Sequence, residues 1–233
     1  MCLVEGPNVV EVIVFAEGPS DEQFLKRVVA PALHAAQIFL KPQTLHTSRD
    51  STGGAINFDR LCRNVRNTLR QSSTTYLTTF FDLYGLDSEM PGHSMVSGFG
   101  EPADKARHIE TELHAALVDK LKFRPDRFIA HIQPYELEGL FFSNTQLLAQ
   151  SVPGWDSAAE ALGRVRRSFS TPEHINDGYD TKPSARLSNL LKPSYRKTTH
   201  APLIGQKLGL SVILKECKHF ANWIERLLEL KPL

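Results

Sequence analysis

From Val9 to Ala16 the chain is almost continuously apolar: Val9, Val10, Val12, Ile13, Val14 and Phe15 make the run expected of a strand covered on both faces. It ends in the acidic loop EGPSDE, Glu17 to Glu22, after which Phe24, Leu25, Val28, Val29 and Leu33 recur at helical spacing. Ser20 is the predicted N-cap of that helix, with Gln23 completing a capping box. Leu40 to Thr47 reads as a short strand, Ser48 to Ala55 as a Ser, Thr and Gly rich loop, and Asn57 to Arg70 as a helix with Phe58, Leu61, Cys62, Val65 and Leu69 on one face. A β-rich run from Thr74 to Phe81 stops at Asp82, Ala103 to Leu121 has the pattern of a long amphipathic helix, and Arg127 to Ile132 reads as another strand. Beyond Glu136 only helices are predicted, around residues 136–150, 156–168, 183–191, 201–208 and 218–230. Strand and helix alternate, so the expected fold is α/β, a mainly parallel sheet flanked by helices with a helical C-terminal extension. Residues 1–150 are expected to form the core and 151–233 the extension packed on it.

Composition narrows this picture only a little. At 233 residues and 41% hydrophobic content the chain can bury a substantial core. A formal charge of +1 leaves no global electrostatic footprint for nucleic acid, so any such binding has to come from a local patch. Cys2, Cys62 and Cys217 are widely spaced and odd in number, which indicates neither a zinc site nor a disulfide framework. Without a secretory signature or an apolar stretch approaching about 20 residues, the expected location is the cytoplasm, with reduced thiols. No GxxxxGK[ST] loop is present, so ATP hydrolysis by this chain is not expected.

The chemistry lies at the strand ends. Glu17 and Asp21 follow the first strand, Asp82 closes the Thr74 run with Asp87 beyond it, and the segment QPYELEGLFF brings Glu136 and Glu138 after the third strand. Ligands of open α/β sheets bind beyond the carboxyl ends of the strands, and parallel strands would gather these acids along one edge, within reach of a shared divalent cation.

The ordered set EGPSDE, FDLYGLD, QPYELEGLFFS, KPSARL and YRKTTHAP resembles a bacterial domain-of-unknown-function family, DUF4276, regarded as Toprim-like. Toprim is the metal-binding domain of topoisomerases, primases and the overcoming-lysogenisation-defect nucleases. The resemblance implies a Toprim-like core with Glu17 in the position after the first strand and Asp82 as the first acid of a D-x-D pair. Asp21 is similar to the second acid of the nuclease motif E-G-x-T-E. Tyr84 stands where the second Asp of D-x-D is expected, so Asp87, Glu136 or Glu138 has to supply the missing ligand, or the site binds metal weakly. By the same resemblance a late Glu and a basic residue complete a two-metal site, which makes Glu138 the replacement and Lys182 or Lys197 the catalytic cation. The implied cofactor is Mg²⁺ or Mn²⁺, the implied reaction phosphodiester hydrolysis, and the implied partner an ATPase of the ABC or AAA type in anti-phage defence. The alternative is a catalytically silent Toprim-like subunit that binds nucleic acid or a partner ATPase; phosphoryl transfer on a small nucleotide is a third.

Arg164, Arg166 and Arg167 share a predicted helix, and Lys182, Arg186, Lys192, Arg196 and Lys197 punctuate the segment that follows. Arg186, Arg196 and Lys197 are the candidate nucleic-acid contacts, with Tyr179 and Tyr195 placed to stack bases; the alternative is a solvated basic face. Of the histidines, His131 is expected in the core, His93 either as a general base from its loop or exposed, and His200 has no assigned role.

Overall fold

The computed structural model describes residues 9–45, 56–176 and 178–233. Ser48 to Ala55, predicted as a loop, lies outside these residues. Among the described residues five strands form one parallel sheet: β1 (Val10–Ala16), β2 (Ile38–Thr44), β3 (Thr75–Asp82), β4 (Phe128–Ile129) and β5 (Ile132–Gln133). Their order is β2-β1-β3-β4, and β5 continues beside β3 beyond β4. The helices are α1 (Pro19–Phe24), α2 (Ala30–His34), α3 (Phe58–Gln71), α4 (Pro102–Leu121), α5 (Thr145–Ala149), α6 (Ala159–Arg167), α7 (Pro183–Leu190), α8 (Lys197–Leu208), α9 (Leu210–Glu216) and α10 (Lys218–Leu228). The fold is thus α/β with a parallel sheet between helices and a helical C-terminal part. No helix among the described residues is long and apolar enough to cross a membrane.

Alternation along the strands divides the core in two. Val10, Val12, Val14 and Ala16 of β1, with Tyr76 and Phe80 of β3, meet α1, α2 and the C-terminal helices. Phe15, Leu77 and Phe81 point the other way, into α3 and α4. Phe220, Trp223, Ile224 and Leu227 sink the apolar stripe of α10 into the first layer, and Trp223 Nε1 donates to Thr78 Oγ1 at 2.9 Å.

Four local expectations change. The helix after β1 is capped by Gly18 rather than Ser20, with Pro19 in the first helical position and the Asp21 carboxylate accepting from Gly18 N at 3.1 Å. That helix widens to a π turn over Leu25–Val29 before Pro31, which has no N–H to give to a regular ladder. The strand predicted over Arg127 to Ile132 breaks at Ala130 and His131. There, side chains of β3 replace ladder bonds: Thr79 Oγ1 donates to His131 O and accepts from His131 N, both at 2.9 Å, and Thr78 Oγ1 donates to Ile129 O. The helix predicted over 136–150 is a 3₁₀ stretch, Leu137–Ser143, followed by α5, because Asn144 caps a new start through Leu147 N at 3.0 Å.

Candidate metal centre

Strand register collects the acids. Ala16 pairs with Phe80, which sets Glu17 beside the end of β3, and Asp82 pairs with Gln133, five residues before Glu138. Helix α8 reaches the same edge because Gly205 lets it lie directly on α1; a Cβ there would stand 2.8 Å from the Phe24 ring. Lys197, the first residue of α8, consequently enters the acidic group. Its Nζ is 3.3 Å from Asp82 Oδ2, 3.6 Å from Glu138 Oε2 and 4.0 Å from Asp21 Oδ1.

Each carboxylate is fixed from behind. Asp82 Oδ1 accepts from Leu137 N at 2.8 Å, Asp21 Oδ2 from Gly18 N, and Glu138 Oε1 from the Tyr195 hydroxyl at 3.0 Å. Glu17 is held by shape: Gly85 lies so close that a Cβ would come within 2.0 Å of Glu17 Oε2. Asp21, Asp82 and Glu138 are buried, and Glu17 is nearly so.

Four carboxylates therefore face one ammonium. Glu17 Oε2, Asp21 Oδ1 and Glu138 Oε2 are buried with no hydrogen-bond partner. Burial is the main influence on all four acids and favours their neutral forms. It raises Glu17 to about 7 against the pull of Lys197, and lifts Asp82 well above the ordinary range, with Asp21 and Glu138 also raised. Burial works against the Lys197 ammonium, but Asp82, Glu138, Asp21 and Glu17 outweigh it and hold its pKa well above the usual lysine value. Buried carboxylate oxygens left without hydrogen bonds around one ammonium are oxygen donors of the kind a hard divalent cation takes.

The other sequence candidates lie elsewhere. Glu136 is buried but turned to α7, where it accepts from Ser184 N at 2.9 Å and Ser184 Oγ at 3.0 Å, and Lys182 pairs with it at 3.1 Å. Lys182 thus belongs to the start of α7 and Lys197 to the cluster. Asp87 accepts from Glu89 N in its own turn. Tyr84 stacks near Tyr135 at 5.5 Å and bonds Asn176 through its hydroxyl. Arg186 bonds Thr181 O and lies 5.2 Å over the Phe169 ring, while Arg196 is exposed at the head of α8. Tyr195, placed by sequence among the base-stacking candidates, is buried against Glu138; Tyr179 is exposed, with Lys182 5.3 Å over its ring. His93 is half-buried in a 3₁₀ turn, and His200 accepts from Arg196 N at 2.9 Å against the edge of Trp155. Gly85 is a site residue that sequence reasoning missed, and Tyr195 is one to which it gave another role. The only hint of Gly85 was a glycine between Tyr84 and Leu86, three residues past a strand-end Asp.

The family model described as Domain of unknown function (DUF4276) matches residues 16–228 of the chain. No curated protein and no solved structure matches it.

Proposed function

We propose that this chain, which belongs to the DUF4276 family of unknown function, hydrolyses phosphodiester bonds with Mg²⁺ or Mn²⁺ held by Glu17, Asp21, Asp82 and Glu138. One observation carries the reading: three buried carboxylate oxygens, from Glu17, Asp21 and Glu138, converge around Lys197 with no hydrogen bond to satisfy them. The reading keeps Glu17 and Asp82 in the positions that a Toprim-like domain uses and gives Glu138 the place that Tyr84 cannot fill.

When bound, the cation would supply a Lewis acid that polarises phosphate oxygens and lowers the pKa of a bound water. Lys197 sits at the mouth of the cluster, where it donates to an incoming phosphate oxygen and offsets its charge. The Leu137 amide and the Tyr195 hydroxyl hold Asp82 and Glu138 in place, so neither must reorganise when substrate arrives. In hydrolysis a water oxygen bonds to phosphorus as the bond to the leaving sugar oxygen breaks. The water's proton passes to solvent, and the leaving oxygen takes a proton from solvent in turn. Exposed Arg196 and Tyr179 are the candidates to guide and stack a strand.

The test is Mg²⁺ and Mn²⁺ calorimetry on the wild-type chain and Glu17→Ala, with nicking of plasmid DNA and cleavage of single-stranded DNA and RNA on the same samples. Binding and cleavage that both disappear in a folded Glu17→Ala support the proposal. Metal binding without cleavage of any substrate points instead to the silent subunit, and a wild-type chain that binds no divalent cation removes the site.

A further inference from the structure

A second set of metal-ligating side chains shares no residue with the strand-end cluster. Glu110 on α4, His131 in the gap between β4 and β5, and His219 on α10 each present one donor atom, and these atoms lie within 4.8 Å of one another. We propose that Glu110, His131 and His219 bind one borderline divalent ion of the zinc class, joining α4, the sheet and α10.

The distances suit such an ion. With bonds of about 2.0–2.1 Å, donors of a tetrahedral zinc site stand roughly 3.3–3.5 Å apart. His131 Nδ1 lies 3.5 Å from Glu110 Oε1, and His219 Nε2 lies 2.8 Å from the same oxygen, close enough for the proton that a metal would displace. Two imidazoles and a carboxylate are the donors of catalytic zinc centres, whereas hard Mg²⁺ prefers oxygen alone, so this site and the strand-end cluster select different ions.

The donors are pre-oriented. The His131 ring stacks on Trp223 at 4.7 Å and on His219 at 5.2 Å, which fixes its plane. Glu110 Oε1 is anchored by Ile132 N at 2.8 Å. His219 is fixed by Glu173, which accepts from His219 N at 3.0 Å and Phe220 N at 2.9 Å. A cavity of about 180 Å³ lined by Arg107, Asn222, Trp223 and Arg226 opens onto all three donors and provides a route for the ion and room for a water as fourth ligand.

Co²⁺ is the probe, because its visible ligand-field absorption reports coordination geometry and donor type. The chelator-treated 233-residue chain is titrated with Co²⁺, and then with Zn²⁺ by calorimetry, in excess Mg²⁺. The expected result is one Co²⁺ per chain with intense tetrahedral-type bands that Zn²⁺ bleaches. The bands should be unchanged in Asp82→Asn and weakened about tenfold or more in affinity in His219→Gln. If His219→Gln does not fold, Glu110→Gln serves the same purpose. A wild-type chain with no such bands and no Zn²⁺ binding overturns the proposal, as do bands that survive loss of His219 or Glu110 but vanish in Asp82→Asn. Failure here leaves the strand-end reading untouched, since that reading is tested by Mg²⁺ binding at different residues.

Discussion

Replacing Gly85 by alanine evicts the Glu17 carboxylate without altering any charged residue. Gly85 is not among the positive-φ glycines, so its backbone admits alanine, but the new Cβ would stand 2.0 Å from Glu17 Oε2 and 2.5 Å from its Cδ. Overpacking of this kind costs about 1–3 kcal/mol. Against it stands the burial penalty on Glu17, whose pKa rises from 4.5 to about 7. At about 1.4 kcal/mol per unit, ionising that group in the folded protein costs about 3 kcal/mol. The sign follows from proton binding: the folded state holds the proton more tightly than the unfolded one. The penalty is therefore absent below pH 4.5, grows as pH rises toward 7, and is complete above it. Turning Glu17 out to water removes it. In chelator, Gly85→Ala is expected to be less stable than the parent by about 1–3 kcal/mol at pH 4.5, and equal or more stable at pH 8. Urea denaturation at the two pH values measures this. Added Mg²⁺ should stabilise the parent, by about 2.7 kcal/mol at a hundredfold excess over Kd, and the variant much less. A stability difference that is the same at both pH values would refute the reasoning.

Four further outcomes follow from the same geometry. Lys197→Met leaves four carboxylates without their ammonium and should cost about 3 kcal/mol at pH 8 and less at pH 5, where Glu17, raised to about 7, holds its proton, as read by urea midpoints. Asp82→Asn should stabilise the metal-free chain at pH 8 while abolishing Mg²⁺ binding; calorimetry showing unchanged affinity would take Asp82 out of the site. Glu136→Gln should cost about 1 kcal/mol through the start of α7 yet leave Mg²⁺ affinity within about twofold, and a tenfold loss would put Glu136 among the ligands. Thr78→Val orphans Trp223 Nε1 and should cost about 1–3 kcal/mol in thermal or urea unfolding, with Mg²⁺ binding retained.

Periodicity by itself determined the α/β class, the first three strands and the long helices, because burial on two faces demands an unbroken apolar run in a strand and a one-sided stripe in a helix. Chain order alone also delivered Glu17, Asp82 and the pair Glu136 and Glu138, since in a parallel sheet the residues after each strand fall on the same edge, and the family resemblance singled out Glu138. What sequence could not decide was which neighbours those acids meet. Lys182 and Lys197 look equivalent along the chain. Only the packing of α8 on α1 through Gly205 turns Lys197 toward the acids, while the turn before α7 gives Lys182 to Glu136. Glu136 and Glu138, two residues apart, part company because Glu136 is extended while Glu138 lies in the 3₁₀ stretch that follows, so their side chains reach different partners, Ser184 and Tyr195. The meeting of Glu110, His131 and His219 was equally invisible, since 21 and 88 residues separate them in sequence and no motif spacing links them. Local pattern depends on each residue's own exposure, which neighbours in sequence encode. A site depends on contacts between distant segments, and those are fixed only when the helices close on the sheet.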